Sequence, residues 1–183
     1  MKNNDIQNYE AFLNGDMNGF ENLVLTYKDS LLYFLMRYVK QIEIAEDLAQ
    51  DAFVEILIHK ERFQLQSNFK TYLYTIGRNK AVDYLRKNSR QMLSEISLEE
   101  EKDLFDLEER VIQKEEHELL YKVIGDLKKE YQSVICLIDL EGFSYKDTAL
   151  IMKKTIPQIK VMIHRARKAL EKSLRKEGYV HEK

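Results

Sequence analysis

This chain is poor in everything that interrupts a helix. One proline and six glycines serve 183 residues. So few breakers, set among abundant Leu, Ile, Lys and Glu, exclude a turn-rich β fold and favour helix throughout. Tryptophan is absent and cysteine occurs once, so no internal disulfide can form. Cys136 sits among Val134, Ile135, Leu137 and Ile138 and reads as a packing residue, at home in a reducing cytoplasm. No apolar run approaches the roughly 18–20 residues that span a bilayer. The opening MKNNDIQNYEAF lacks the apolar centre of a secretory signal. There is no Gly-rich phosphate loop, and His59, His117, His164 and His181 share no ligand or triad spacing. No catalytic set, metal or cofactor is therefore expected.

What is abundant is charge, at 33% of residues, and it is segregated. The net charge of −2 hides a basic, acidic, basic order. Residues 69–90 carry six bases against Asp83, a net +5. Residues 95–118 carry eleven acids against Lys102, Arg110 and Lys114, a net −8. Residues 144–176 carry ten bases against Asp147 and Glu171, a net +8. Two separated basic segments point to a protein that addresses two separated stretches of nucleic acid.

Apolar spacing places these segments on helices. Residues 5–15 form a short helix closed by Gly15, and Asp16 caps the next segment. Asp29 or Ser30 is expected to start a further helix with Leu31, Leu32, Phe34, Leu35, Tyr38 and Val39 as its apolar face. Residues 43–60 carry an apolar stripe (Ala45, Leu48, Ala49, Ala52, Phe53, Ile56, Leu57) and an acidic stripe at four-residue spacing (Glu43, Asp47, Asp51, Glu55). With no histidine beside it, the acidic line suits a partner or solvent better than a metal. After a loop at 61–68, Ser67 or Asn68 caps a helix that buries Phe69, Leu73, Ile76, Gly77, Tyr84 and Leu85. Thr71, Thr75, Arg78, Asn79 and Arg86 are expected on its outer side.

Periodicity fades across 91–114 and resumes in helices at 117–127 and 128–142, the second stopping at Gly142. Ser144 caps a short helix in which Tyr145, Ala149 and Met152 face inward. Thr155 and Gln158 have capping-box spacing, with Pro157 in the first turn. In that last helix Ile156, Ile159, Ile163, Ala166 and Leu170 form the buried stripe.

The two final helices have the form of a helix-turn-helix whose second member enters the major groove. Lys160, His164 and Arg165 supply donors for base edges, and Val161 an apolar contact for a thymine methyl. Arg167, Lys168 and Lys172 are placed for phosphates. The 69–90 helix, with Phe69, Tyr72 and Tyr74 near its outward Thr, Asn and Arg, suits a single strand with stacked bases.

AEDLAQDAFVEIL (45–57), FKTYLYTIGRNKAVDYLR (69–86) and SYKDTALIMKKTIPQIKVMIHRARKAL (144–170) together resemble, in order and spacing, the conserved regions of a sigma-70 factor of the extracytoplasmic-function group. The resemblance implies an all-α fold of two small helical domains joined by an acidic linker. These are a region 2 bundle over 1–92, the linker over 93–114, and a region 4 helix-turn-helix over 115–183. It implies docking on core RNA polymerase through Asp47, Gln50, Asp51 and Glu55. It implies contact with the −10 element through Phe69, Arg78, Asn79 and Arg86, with Phe63–Asn68 forming a pocket for a flipped base. It implies reading of the −35 element through Lys160, His164, Arg165, Arg167 and Lys168. It further implies promoter DNA and an anti-sigma factor as partners, a stress response as setting, and a linker running near the polymerase cleft. Four positions depart from the family pattern: Lys153 stands at a turn often held by glycine, Val161 and Met162 replace small polar and Arg residues, and Pro157 replaces a small one. The residues leave two other readings open. One is a helix-turn-helix regulator that binds duplex DNA without docking on core polymerase; the other is a helical adaptor for acidic proteins.

Overall fold

The computed structural model describes residues 2–64, 68–92, 120 and 122–176, and among these no strand occurs. The chain divides into two compact units at residue 98, apart from a four-residue exchange at Leu150–Lys153. The acidic segment 93–114 and the tail beyond 176 lie outside the described residues.

The first unit is a four-helix bundle. Helix α1 (Lys2–Leu13) buries Asp5, Tyr9 and Phe12, three side chains at helical spacing. Gly15, at φ 95°, turns the chain, and the Asn18 amide donates to the Asp16 carboxylate at 3.0 Å to start α2. Helix α2 then runs unbroken over Met17–Val39. The expected start at Asp29 or Ser30 does not occur, because no breaker interrupts the apolar stripe Phe20, Leu23, Tyr27, Leu31, Phe34 and Leu35. The Ser30 hydroxyl donates back to the Tyr27 carbonyl at 3.3 Å instead of capping a new helix. Helix α2 ends on Lys40 in the left-handed region, at φ 57°.

Helix α3 (Ile42–Ile58) buries Ala45, Leu48, Ala49, Ala52, Phe53 and Ile56, but Leu57 stays exposed at the edge of the stripe. A single 3-10 turn, Lys60–Arg62, follows. The Lys70 amide then donates to Asn68 Oδ1 at 3.0 Å, which assigns the cap of α4 (Phe69–Met92) to Asn68; Ser67 is outside the described residues. Two glycines let helices approach closely. A Cβ on Gly19 would sit 2.1 Å from the Asn8 carbonyl oxygen of α1, and one on Gly77 of α4 would sit 3.0 Å from Leu31 Cδ1 of α2.

In the second unit a short helical stretch at 122–125 leads into α5 (Lys129–Ile135). Gln132 Nε2 donates to the carbonyls of Gly125 and Leu127, at 2.6 and 2.7 Å, and so ties the turn to the helix. Helix α5 does not run on as α-helix to Gly142. It widens into a π turn, Cys136–Leu140, in which the Glu141 amide donates to the Cys136 carbonyl at 2.9 Å. Gly142, at φ 69°, closes it, and the buried Cys136 packs as expected.

Ser144 caps α6 (Tyr145–Met152): the Asp147 amide donates to its hydroxyl at 3.1 Å. Lys153 holds the turn in the left-handed region at φ 53°, the conformation for which glycine is usual. The capping box opens α7 (Ile156–Lys176), with the Thr155 amide donating to Gln158 Oε1 at 2.8 Å and the Gln158 amide to Thr155 Oγ1 at 3.4 Å. Ile159, Ile163 and Ala166 seat this helix, while Ile156 and, in α6, Tyr145 are exposed rather than buried. Ile156 is the first residue of its helix, where a side chain has no preceding turn to pack on.

Candidate nucleic-acid and polymerase interfaces

On α3 the expected acidic face is real. Glu43, Asp47, Gln50 and Asp51 are exposed. Glu55 is half-buried and forms an ion pair with Lys80 of α4 at 2.9 Å, so its charge is partly spent inside the bundle. Val54 and Ile58 share the face of Asp47 and Asp51 and remain 46% and 66% exposed. The spacing 47, 51, 54, 58 keeps all four on one side of a helix, a signal legible in the sequence that attention to charge alone passes over.

Helix α4 divides its candidate residues. Phe69 is 1% exposed, packed against Tyr9, Tyr27 and Phe63 with ring centroids 5.5, 5.8 and 5.6 Å away. An aromatic side chain this deep in the core cannot stack on a base, and the expectation for Phe69 is corrected accordingly. Phe63 is likewise buried rather than lining an open pocket, Gln64 is exposed, and 65–67 lie outside the described residues. Thr71, expected to project outward, is buried too, because the start of α4 is covered on more sides than one apolar stripe implies. Arg78 and Asn79 are half-buried; Arg78 Nε and Asn79 Oδ1 lie buried with no hydrogen-bond partner among the described residues. Arg86 is exposed, 3.2 Å from Asp83 on its own helix. Tyr72, between Glu55 and Arg62, has its hydroxyl pKa raised, chiefly by burial.

Helix α7 presents two open grooves. One, of about 600 Å³, is lined by Tyr145, Lys160, His164, Arg167, Lys168 and Glu171. The other, of about 450 Å³, lies beside Tyr131, Lys154, Pro157, Gln158, Val161 and Arg165. Lys160, His164, Arg165 and Lys168 are all exposed, and Val161, on the edge of the smaller groove, is 50% exposed. Arg167 is different. Its Nε donates to Asp139 Oδ2 at 3.1 Å and its Nη2 to Oδ1, a two-pronged clamp onto the π turn. The Asp139 hydrogen bond, ahead of every other influence, raises the guanidinium pKa further. Arg167 thus ties α7 to the π turn that follows α5. Asp139, exposed at the end of an apolar run, gave no warning of this, since only the π turn brings it to α7. Lys154 forms a second tie, to Glu130 at 2.9 Å.

Among the described residues no cluster of three His, Cys, Asp or Glu side chains is placed to hold a metal ion. No described helix is long and apolar enough to cross a membrane.

Comparison with known proteins agrees with this geometry. Residues 23–91, which hold α3 and nearly all of α4, match the Sigma-70 region 2 family. Residues 117–170, which hold α5, α6 and most of α7, match Sigma-70 region 4. The RNA polymerase sigma factor YlaC of Bacillus subtilis is 31% identical over 85% of this chain and 92% of its own. The ECF RNA polymerase sigma-E factor of Haemophilus influenzae is 30% identical over 90% and 92%. Among solved structures, the sigma factor RpoE from Bartonella quintana, in complex with the anti-sigma factor NepR, superimposes with a TM-score of 0.73. It is 27% identical and covers 85% of this chain and 96% of its own. With both conserved regions present in order and relatives of 30% identity or more along most of its length, the chain belongs to the extracytoplasmic-function group of the sigma-70 family.

Proposed function

We propose that this protein confers promoter specificity on RNA polymerase: it docks on the core enzyme through α3, holds the opened −10 element along α4, and reads the −35 element with α7. The order of the two Sigma-70 regions on one chain carries this reading. In site terms, Asp47, Gln50 and Asp51 form the polar half of the core-docking face, with Glu55 at its edge. Val54 and Ile58 form its apolar half, and burying each against a partner contributes about 1–2 kcal/mol. Asn79, Arg78 and Arg86 address the −10 strand, where the orphaned Nε and Oδ1 atoms of the first two gain partners. Lys160, His164 and Arg165 take base edges of the −35 duplex, and Lys168 a phosphate.

The proposed organisation is region 2 over 1–92, a linker over 93–114 and region 4 over 115–183, acting in the cytoplasm where the polymerase is. The Bartonella protein's complex supports an anti-sigma factor as a further partner, with release under stress as the regulatory logic.

Run-off transcription with purified core polymerase on a promoter library tests the reading. The wild-type chain gives defined start sites. Asp47→Lys with Asp51→Lys abolishes them and weakens association with core polymerase, while affinity for isolated −35 duplex is kept. A charge-reversed chain that still joins the polymerase and initiates normally refutes the assignment. So does a wild-type chain that binds duplex tightly yet starts no transcript.

A further inference from the structure

The match to Sigma-70 region 2 begins at residue 23, which leaves α1 outside it. Helix α1 nevertheless grips the segment that leads from α3 into α4. The Tyr9 hydroxyl donates to the Lys60 carbonyl at 2.8 Å. The Lys60 ammonium lies over the Phe12 ring, 5.7 Å from its centre. The Tyr9 ring meets Phe63 edge-on at 4.6 Å and lies tilted to Phe69 at 5.5 Å. At the other end of α1, Tyr27 of α2 donates to the buried Asp5 carboxylate at 2.6 Å and anchors the helix.

These contacts fall where the backbone most needs them. Carbonyls just past a helix end have no partner within the helix, and Lys60 lies two residues beyond α3 in a lone 3-10 turn. A fully buried hydroxyl (Tyr9 is 0% exposed) that satisfies such a carbonyl fixes the direction in which the chain leaves. Phe63 comes next and is wedged among Tyr9, Phe69 and Tyr72, so the Lys60–Phe63 stretch and the first turn of α4 are set together.

We propose that α1 is a strap over the α3–α4 connection, with Tyr9 as a positioning residue that presets the start of α4 for capture of the opened −10 strand. The inference rests on the reading of α4 as the −10 element. Tyr9 touches no base in this role; it acts through the Lys60 carbonyl and Phe63. Its consequence is kinetic: a preset surface lowers the barrier to strand capture, and a loosened one must be ordered first.

Full-length Tyr9→Phe, which keeps the ring and removes one donor, is assembled with core polymerase on a promoter the wild type uses. The closed-complex constant and the rate of isomerisation to the open complex are measured separately. Isomerisation slows by about three- to tenfold, the equivalent of one buried hydrogen bond, while core affinity and the closed-complex constant stay at wild-type values. Simple loss of folded protein would lower the amplitude and leave the rate constant alone. Gly19→Ala, whose Cβ collides with the Asn8 carbonyl and displaces α1, slows the same step further. Wild-type isomerisation in both variants, each folded by circular dichroism, overturns the proposal, as does a loss shared equally by −35 duplex affinity. Asn79→Ala and Arg86→Ala separate the layers. If they slow isomerisation and Tyr9→Phe does not, only the strap is wrong; if neither they nor Tyr9→Phe changes it, the −10 reading has failed.

Discussion

Replacing Arg167 by alanine distinguishes a structural strut from a phosphate ligand, two roles that look identical in a basic helix. The side chains of Arg167 and Asp139 are 51% and 30% exposed, so solvent and salt screen the pair. Its contribution to stability is therefore small, about 0.5 kcal/mol, even with two hydrogen bonds. The DNA-binding signature is sharper. On B-DNA each neutralised phosphate adds about 0.9 to the slope of log affinity against log salt. If Lys168 meets a phosphate and Arg167 does not, Lys168→Ala lowers the slope by about 0.9 and Arg167→Ala leaves it unchanged. Between 50 and 200 mM salt, that slope difference is a change of about 3.5-fold in relative affinity.

The assay is fluorescence anisotropy on a −35 duplex across a salt series, paired with denaturant unfolding of Arg167→Ala, Asp139→Ala and the double variant. The two single variants lose the same small stability and the double variant loses no more. An Arg167→Ala slope lower by about 0.9, with stability indifferent to Asp139→Ala, would show that the clamp opens on DNA and that the strut assignment is mistaken.

Two further outcomes follow from the packing. Gly19→Ala destabilises by more than about 2 kcal/mol, since backbone atoms of α1 cannot yield to a Cβ placed 2.1 Å from a carbonyl oxygen. Gly77→Ala costs less than Gly19→Ala, because its Cβ meets the end of the Leu31 side chain rather than backbone and the helix gains about 0.5–1 kcal/mol in propensity; equal midpoint shifts in thermal unfolding would contradict this contrast. Burial raises the Tyr9 hydroxyl pKa well above its ordinary value of 10.0, with Tyr72 and Glu61 adding to the shift. A raised folded-state pKa contributes stability that is complete below pH 10 and lost above it, so from pH 10 to 11 the wild type loses about 1 kcal/mol more than Tyr9→Phe in denaturant titrations. Parallel stability curves for the two proteins over that interval would argue against a buried, neutral Tyr9.

Helical content was legible in the sequence, because periodicity and capping chemistry act locally. Asp16, Asn68, Ser144 and the Thr155–Gln158 box all cap as their residue types dictate. The errors lie where tertiary packing decides. Asp29 and Ser30 have the chemistry of a helix start, yet Tyr27, Leu31 and Phe34 continue one stripe across them and α2 runs on. Spacing alone puts Phe69 on the buried stripe, but Thr71, on another side of the same helix start, is buried where no local pattern encodes it. Arg167 looked like one more base on a basic face; its partner comes from 28 residues away through a π turn that the spacing of apolar residues does not announce. On α3 and the outer face of α7, solvent-facing residues obey helical geometry alone, and there the reading from sequence and the structure coincide.

The Glu55–Lys80 pair has a consequence for how docking and strand capture are joined. It ties the edge of the acidic face on α3 to the middle of α4 at 2.9 Å. One turn earlier on α4, Gly77 lies close enough to α2 that an added Cβ would meet Leu31 at 3.0 Å. Helix α4 is thus fixed between α2 and α3, with buried side chains locking its rotation. Packed interiors of this kind resist continuous deformation. On the proposed roles, seating α3 on the polymerase determines where Asn79 and Arg86 point, without any further ordering of the bundle. A bundle that flexed between these helices would need to order itself again at each promoter, at an entropic cost. The ion pair therefore matters less for the stability it adds, which is small for a partly exposed pair, than for the rigid link between the surfaces proposed to meet polymerase and DNA.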